Sequence, residues 1–265
     1  MTDRICGIVS DIRRQKPLIH CITNPISINQ CANAILSVGA KPIMAEHPKE
    51  VEEITDRASA LMLNTGNITD VRMKSMFLSA QRAKSGWIPI LVDAVGVACS
   101  RLRRGYSLEL MDKFCPTVVK GNYSEIYALY DQDHRASGVD AEYIADNDSI
   151  TSAAKALACR YNAVILATGK TDLITDGIRT VTVNNGTAEL ADITGTGCML
   201  GSLCTAFMTS AQPLDAVVSA CCYFGICGEL ATKDRGLGSF YVSLMDKLST
   251  LEKSEISENL KVEGW

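Results

Sequence analysis

The sequence predicts an α/β protein built on a mostly parallel central sheet with helices on both faces. Short apolar runs recur along the first two thirds of the chain, and helical patterns lie between most of them. Because each crossover between parallel strands needs a helix, this alternation indicates a parallel sheet covered on both sides. Further along, Asp176-Gly177 joins two short runs and predicts an antiparallel hairpin near one edge of the sheet.

The predicted elements follow from local patterns. Apolar residues at helical spacing between Ile5 and Ile12 predict a first helix, and residues 33–36 predict another. The predicted parallel strands are 17–20, 41–45, 60–63, 88–92, 117–119 and 163–167. The two predicted hairpin strands are 173–175 and 180–183. The predicted later helices are 199–207, 214–231 and 241–248. No strand is predicted after Cys198, and the polar tail after Lys253 is expected to fray.

Composition limits the classes to which the protein can belong. The 265 residues are 47 % hydrophobic and 21 % charged, which is typical of one globular domain spanning 1–265. A net charge of -4 lacks the basic excess that nucleic-acid binding requires, and the long uncharged segments carry too many polar residues for a membrane span. Eleven cysteines without a C-x-x-C pair predict buried thiols, and with only three histidines no structural zinc site is expected. The N-terminal segment has no signal-peptide core, so a cytoplasmic protein is expected.

The clearest local motif is Asp-Ile-Thr-Gly-Thr-Gly-Cys at 192–198, directly before an apolar helix. Glycines there let backbone N–H groups converge on an anion, and the helix dipole favours negative charge. The motif therefore predicts a phosphate cradle, with a plain glycine-rich turn as the alternative. A dinucleotide fingerprint is disfavoured because no strand ending in an acid follows about 20 residues on, and a P-loop ending is missing.

Three further side chains are candidates for acid–base chemistry. Cys198 falls in the first turn of the predicted helix, where backbone N–H groups lower the pKa of a thiol. It is a candidate base toward a substrate hydroxyl, and a small buried cysteine is the alternative. For His20 and His47 no partner is visible in the sequence, so a structural role is favoured.

Polar residues follow several predicted strands. Asp93 comes directly after one strand, Lys120, Asn122 and Glu125 follow the next, and Thr168 follows a third. Ligands gather at the carboxyl ends of parallel strands, where carboxylates suit Mg²⁺ and a cation or amide suits phosphate oxygens. These positions predict a magnesium and nucleotide site, and a helix cap or a solvated acid is the alternative for each carboxylate.

Two early segments, 20–24 and 39–45, are rich in neutral polar and apolar groups, which suits a small uncharged heteroaromatic substrate. Seven motifs occur in order: H-C-I-T-N at 20–24, G-A-K-P-I-M-A at 39–45, V-D-A-V-G at 92–96, K-G-N-Y-S-E at 120–125, A-T-G-K at 167–170, D-I-T-G-T-G-C at 192–198 and G-L-G-S-F at 236–240. Together they resemble the hydroxyethylthiazole kinase family of the ribokinase-like superfamily. The resemblance implies that ATP and Mg²⁺ are used to phosphorylate the hydroxyethyl group of 4-methyl-5-(2-hydroxyethyl)thiazole for thiamine biosynthesis or salvage.

The resemblance also implies roles for individual residues. Cys198 is expected nearest the substrate hydroxyl. The expected contacts are Met44, Gly195 and Asn24 with the thiazole, Lys120, Thr168, Asn122 and Gly197 with ATP, and Asp93 and Glu125 with Mg²⁺. Two positions depart from the family pattern, because Ala94 and Leu237 stand where proline is common. Both changes affect backbone stiffness rather than chemistry.

Assembly and alternative functions complete the expectations. Residues 20–39 show no alternating pattern for the small β lid of sugar kinases, so no separate lid domain is expected. The resemblance implies a homotrimer with active sites between subunits, in which residues near Asn24 and Met44 face a phosphate loop of the adjacent chain. The alternatives are a hydroxymethylpyrimidine or pyridoxal kinase, which Cys198 and the 20–24 segment disfavour, and a catalytically silent nucleotide-binding sensor.

Overall fold

The structure, a computed structural model, describes residues 1–131, 147–231 and 236–265. Its strands are β1 (Leu18–Ile22), β2 (Lys41–Ile43), β3 (Ala60–Asn64), β4 (Ile90–Asp93), β5 (Val118–Asn122), β6 (Val164–Thr168), β7 (Asp172–Thr175), β8 (Thr180–Val183) and β9 (Val262–Glu263). Its helices are α1 (Thr2–Gln15), α2 (Ile28–Ser37), α3 (Val51–Arg57), α4 (Asp70–Ser85), α5 (Arg101–Phe114), α6 (Tyr123–Tyr130), α7 (Asn147–Tyr161), α8 (Thr196–Phe207), α9 (Pro213–Leu230), α10 (Leu237–Thr250) and α11 (Lys253–Asn259).

The described strands form one sheet with the order β2-β1-β3-β4-β5-β6-β7-β8-β9. Neighbours from β2 to β6 pair in parallel, whereas β7, β8 and β9 are added antiparallel at one edge. The α/β class, the mostly parallel sheet and the hairpin near one edge are therefore confirmed. The predicted strands 60–63, 117–119 and 163–167 extend further than expected, so that Asn64, Asn122 and Thr168 are strand residues.

Alternating side chains divide the core between the two faces of the sheet. Leu91 packs with apolar residues of α1, α8, α9 and α10, whereas the next residue, Val92, packs with those of α4 and α5. Helix α9 is long and apolar enough to cross a membrane by composition, but it is largely buried inside the protein, as a central core helix must be. Helix α8, which follows the glycine motif 192–198, packs on the same face of the sheet as Leu91.

Two expectations about the tail are wrong. The chain after Lys253 forms α11 and then β9, which pairs with β8. The side chain of Asn185 explains the order of this segment, because its Oδ1 accepts the Lys261 N–H at 2.9 Å and its Nδ2 donates to the Asn259 carbonyl at 2.7 Å. A two-residue strand whose register depends on a distant asparagine leaves no periodic signal in the sequence.

The expectation of buried thiols is only partly correct. All eleven cysteines are free, and most are buried, but Cys99, Cys115 and Cys159 are exposed. Cys99 lies in a turn after β4, and Cys115 caps the end of α5 in a left-handed conformation with a φ of 50°. Turns and helix ends lie at the surface, so the exposure of these thiols is determined by their position in the fold rather than by their low polarity.

Candidate active site

Polar side chains at the carboxyl ends of four parallel strands share the face of the sheet that carries α8. Strand alternation places Asn64, Asp93, Lys120 and Thr168 on the same side as the core residues two positions before each, and Asn122 on the same side as Lys120. The register sets Asn64 opposite Asp93, Asp93 opposite Lys120, and Asn122 opposite Thr168. We call these five residues the polar row.

A buried ion pair lies in the middle of the polar row. Lys120 Nζ donates to Asp93 Oδ1 at 2.9 Å, and Asn64 Nδ2 donates to Asp93 Oδ2 at 2.8 Å. Burial raises the pKa of Asp93, and the Lys120 cation and the Asn64 amide oppose this rise. Burial alone would lower the pKa of Lys120, but the Asp93 carboxylate raises it above its ordinary value. Lys120 is therefore held as a cation at the base of the site.

The Cys198 thiol lies directly above this pair. Its Sγ accepts hydrogen bonds from Asn64 Nδ2 at 3.3 Å and from Asn24 Nδ2 at 3.5 Å. Burial, followed by the charge of Asp93, raises the pKa of Cys198, and Lys120 opposes the shift only in part. The expectation of a lowered pKa is wrong, because loss of solvent outweighs the N–H groups at the start of α8.

The glycine loop 195–198 opens beside Lys120. Gly195 is the N-cap of α8 with a φ of 95°, and Gln30 Nε2 donates to the Thr194 carbonyl at 3.0 Å, which ties α2 to the loop. A Cβ atom added at Gly197 would lie 3.8 Å from Lys120 Nζ. The first N–H groups of α8 and the Lys120 cation thus face one small region, as binding of a phosphoryl group requires.

Glu125 has a structural role of its own. Its Oε2 accepts the Asn122 N–H at 2.8 Å while Asn122 Oδ1 accepts the Glu125 N–H, which together make a capping box at the start of α6. Its Oε1 accepts the Gly96 N–H at 2.6 Å. Burial raises the pKa of Glu125, and the charge of Asp93 adds to the rise. The helix-cap alternative is therefore correct, and the carboxylate also lies within electrostatic range of Asp93.

The two carboxylates are compatible with a shared magnesium ion. The oxygens of Asp93 and Glu125 each accept at least one hydrogen bond or ion pair from the chain, and each ionised oxygen keeps a further lone pair. In the part of the chain that the structure describes, no group of three or more His, Cys, Asp or Glu side chains is arranged to hold a metal. Such a donor set fits Mg²⁺, which keeps several waters and binds phosphate oxygens together with one or two carboxylates.

His20 connects β1 to the expected substrate segment and to α3 through its two ring nitrogens. Its Nε2–H donates to the Ala45 carbonyl and its Nδ1 accepts from Thr55 Oγ1, both at 2.9 Å. Burial lowers the pKa of His20, so the ring is a neutral tie between β1 and the residues after β2. Met44 precedes Ala45, and its partly buried side chain packs against the main core. His47 is exposed and accepts the Lys49 N–H.

One expectation about the site is wrong and one residue was not expected. Asn24 and Cys198 meet within the same chain, so Asn24 does not need a phosphate loop from another subunit. Asn64 joins Asn24, Asp93 and Cys198, although no motif marks it. Its only signal in the sequence is its place directly after the apolar run 60–63, the same place that Asp93 takes after its own run.

Comparisons with known proteins agree with this geometry. The sequence model described as "Hydroxyethylthiazole kinase family" matches residues 9–254. "Hydroxyethylthiazole kinase 2" of Clostridium botulinum (strain Hall) is 43 % identical over 263 residues, which cover 97 % of this chain and 99 % of that protein. "Hydroxyethylthiazole kinase" of Finegoldia magna is 39 % identical over 260 residues, covering 98 % and 96 %.

Solved structures give the same result for the fold. The hydroxyethylthiazole kinase protein from Pyrococcus horikoshii OT3 is 33 % identical and superposes with a TM-score of 0.91 over 99 % of both chains. An ADP complex of Bacillus subtilis pyridoxal kinase, at 15 % identity, superposes with a TM-score of 0.65 over 83 % of this chain and 94 % of that one, and so shares the ribokinase-like fold alone. The chain is a kinase of ribokinase-like fold and belongs to the hydroxyethylthiazole kinase family.

Proposed function

We propose that this protein transfers the terminal phosphoryl group of ATP to the hydroxyl of hydroxyethylthiazole, for thiamine biosynthesis or salvage. One observation carries the proposal: the glycine loop 195–198 opens beside a buried lysine cation, with the Cys198 thiol between them and the Asn24 amide. Relatives named hydroxyethylthiazole kinase cover nearly the whole chain, which supports the same substrate.

Phosphoryl transfer needs in-line positioning and compensation of negative charge more than covalent help from the protein. We assign the backbone N–H groups of 195–198, including Gly197, to the transferred phosphoryl group. Lys120 offsets charge on the ATP phosphates, and Asn122 and Thr168 contact the nucleotide further along the polar row. The thiazole lies toward Asn24, Gly195 and Met44.

Magnesium completes the charge balance. Asp93 and Glu125 would hold the ion together with water and ATP oxygens, and the ion would neutralise phosphate charge. Within the chain, Asp93 keeps Lys120 in place, and Glu125 fixes the start of α6 next to Asn122. The protein residues thus arrange the cations rather than react themselves.

Cys198 is assigned to placing the substrate hydroxyl. A thiol whose pKa is raised stays protonated near neutral pH, and two amide donors already occupy its sulfur. We therefore expect Cys198→Ala to lower kcat by about tenfold or less, below the usual range for a lost general base, and to leave the KM for ATP unchanged. Steady-state rates from pH 6.5 to 9 measure this. A loss of several hundredfold that grows as the pH is raised toward 9 would instead show a thiolate base.

The function is tested by ADP formation with hydroxyethylthiazole, hydroxymethylpyrimidine and pyridoxal as separate acceptors. We expect turnover with the thiazole, loss of turnover in EDTA, and recovery on adding Mg²⁺. Preference for pyridoxal or the pyrimidine would contradict the substrate assignment. Nucleotide binding without turnover on any acceptor would favour the silent sensor.

We also propose a homotrimer in which a neighbouring subunit closes the site. Exposed apolar side chains lie on two helices that pack together, Leu36 on α2 and Val242 on α10, and Ile26 is exposed in the turn just before α2. Gln30 of α2 contacts the glycine loop, so this apolar surface adjoins the site. Excluding water protects ATP from hydrolysis, and a second subunit can supply the missing wall.

Mixing two defective variants tests shared sites. If Met44 of one subunit faces the loop of the next, Met44→Trp and Gly195→Ala homotrimers should both be nearly inactive, and subunit exchange should restore a fraction of sites. We expect recovery of about a quarter of parent activity or less, because exchange also produces doubly defective sites. Sedimentation measures the assembly. A fully active monomer, or no recovery after proven exchange, would contradict shared sites.

The cytoplasm is the proposed location. The eleven cysteines are all free thiols, which suits a reducing compartment, and ATP is the co-substrate of the family. Eleven thiols in an oxidising compartment would be expected to form disulfides.

A further inference from the structure

The polar row continues by one residue onto the antiparallel part of the sheet. The register sets Leu166 opposite Ile174 and Ala167 opposite Leu173, so the next pair outward is Thr168 and Asp172. Asp172 and Ile174 are two residues apart on β7 and therefore share the face that carries the polar row. A carboxylate thus stands next to Thr168, the residue assigned to ATP, and the mechanism above does not use it.

The Asp172 side chain holds the turn between β6 and β7. Its Oδ1 accepts the Gly169 N–H at 3.1 Å. From the other side, the Tyr123 hydroxyl donates to the Thr171 carbonyl at 2.6 Å, and a Cβ atom at Gly169 would lie 3.0 Å from the Tyr123 ring. The turn 169–171 is consequently fixed at both ends, once by an aromatic residue and once by an ionisable one.

Groups from three elements surround this carboxylate. Lys120 of β5 and Tyr123 of α6 act on it electrostatically, and Cys221 and Cys222 of α9 lie beside it. Burial raises the pKa of Asp172 to about 7, against the Gly169 N–H, Lys120 and Cys221, which favour the charged form. The strength of the acceptor that holds the turn therefore changes across the neutral pH range.

We propose that Asp172 is a positioning residue for the nucleotide: its ionised carboxylate holds the turn 169–171 so that Thr168 faces ATP. The inference rests on the proposed placement of ATP beside Thr168. A hydrogen bond to a charged acceptor is about twice as strong as one to a neutral acceptor, so ionisation stiffens the turn. The contribution of Asp172 to ATP affinity therefore increases as the pH rises through 7, whereas affinity for the thiazole does not change.

Asp172→Asn isolates the charge, since the amide oxygen can still accept the Gly169 N–H. ATP affinity is measured by titration calorimetry without thiazole, and KM values for both substrates are measured from pH 6 to 8.5. Each value is divided by that of the parent, which cancels the titration of ATP itself. We expect the ratio of ATP dissociation constants to be near one at pH 6 and about three- to tenfold at pH 8.5. Asp176→Asn, at the other end of β7, is the matched control and should stay near one throughout.

The outcomes separate this inference from the proposed function. Thr168→Val marks the nucleotide site, and an unchanged ATP affinity in that variant would overturn the placement of ATP. If Thr168→Val weakens ATP binding but the Asp172→Asn ratio is constant with pH, the positioning role is wrong. An equal rise in the KM for thiazole would also overturn it, because a general loss of structure moves both substrates.

Discussion

Replacing Asp93 by asparagine is expected to lower the free energy of unfolding by about 3–5 kcal/mol and to abolish measurable phosphoryl transfer. Lys120 and Asp93 are 5 % and 0 % exposed, so the variant leaves a buried cation without its counter-charge. The amide that replaces the carboxylate has one oxygen, so it cannot accept from both Asn64 Nδ2 and Lys120 Nζ as the two Asp93 oxygens do. Urea unfolding and initial rates of ADP formation measure the two losses.

A second variant separates stability from catalysis. In Asp93→Asn with Lys120→Met no cation remains to be buried, so most of the lost stability should return while activity stays absent. Glu109→Gln is the matched control, because it breaks an exposed pair with Lys113 and should change stability by less than about 1 kcal/mol. A double variant as unstable as the single one would show that Asp93 acts through packing rather than through its charge.

Gly195→Ala is expected to lower kcat by about a hundredfold, the size of effect seen when one hydrogen-bond donor is lost from an oxyanion site. The residue has a φ of 95°, and an added Cβ would lie 2.7 Å from Gln30 Oε1. The loop must shift to relieve both problems, which moves the N–H groups of 195–198 away from the phosphoryl group. Single-turnover rates at saturating ATP measure the chemical step.

Gly186→Ala controls for backbone strain alone. Gly186 also has a positive φ, 141°, but an added Cβ would meet nothing within 4 Å. This variant should lose stability and keep its kcat. If Gly195→Ala retains the parent rate while both glycine variants lose similar stability, the loop does not bind the transferred group.

The architecture was predictable because its signals are local. Buried apolar runs marked the parallel strands to within a few residues, and the Asp176-Gly177 turn marked the hairpin. The clustering of residues at the candidate site was predictable where strand ends carry unusual residue types, as at Asp93 and Lys120. Asn64 was missed because one asparagine after a strand is common in any sequence, and its importance comes from three partners brought together by folding.

The pKa of Cys198 shows the limit of reading chemistry from position. The start of a helix favours a thiolate, and the sequence places Cys198 there. The fold adds burial and a neighbouring carboxylate, and both favour the thiol. The balance between thiol and thiolate depends on how much water reaches the sulfur, and this exposure is set by tertiary packing rather than by local sequence.

The short strand β9 has a consequence for how the folded chains stay apart. Without it, β8 would present its free backbone N–H and C=O groups along an alternating Thr-Val-Thr-Val sequence, which is a template for strand pairing between molecules. Residues 262–263 pair with Thr182 and Val183 of that edge, and the side chain of Asn185 holds the segment in place. Two residues at the edge of the sheet thus protect the folded protein from strand pairing between molecules.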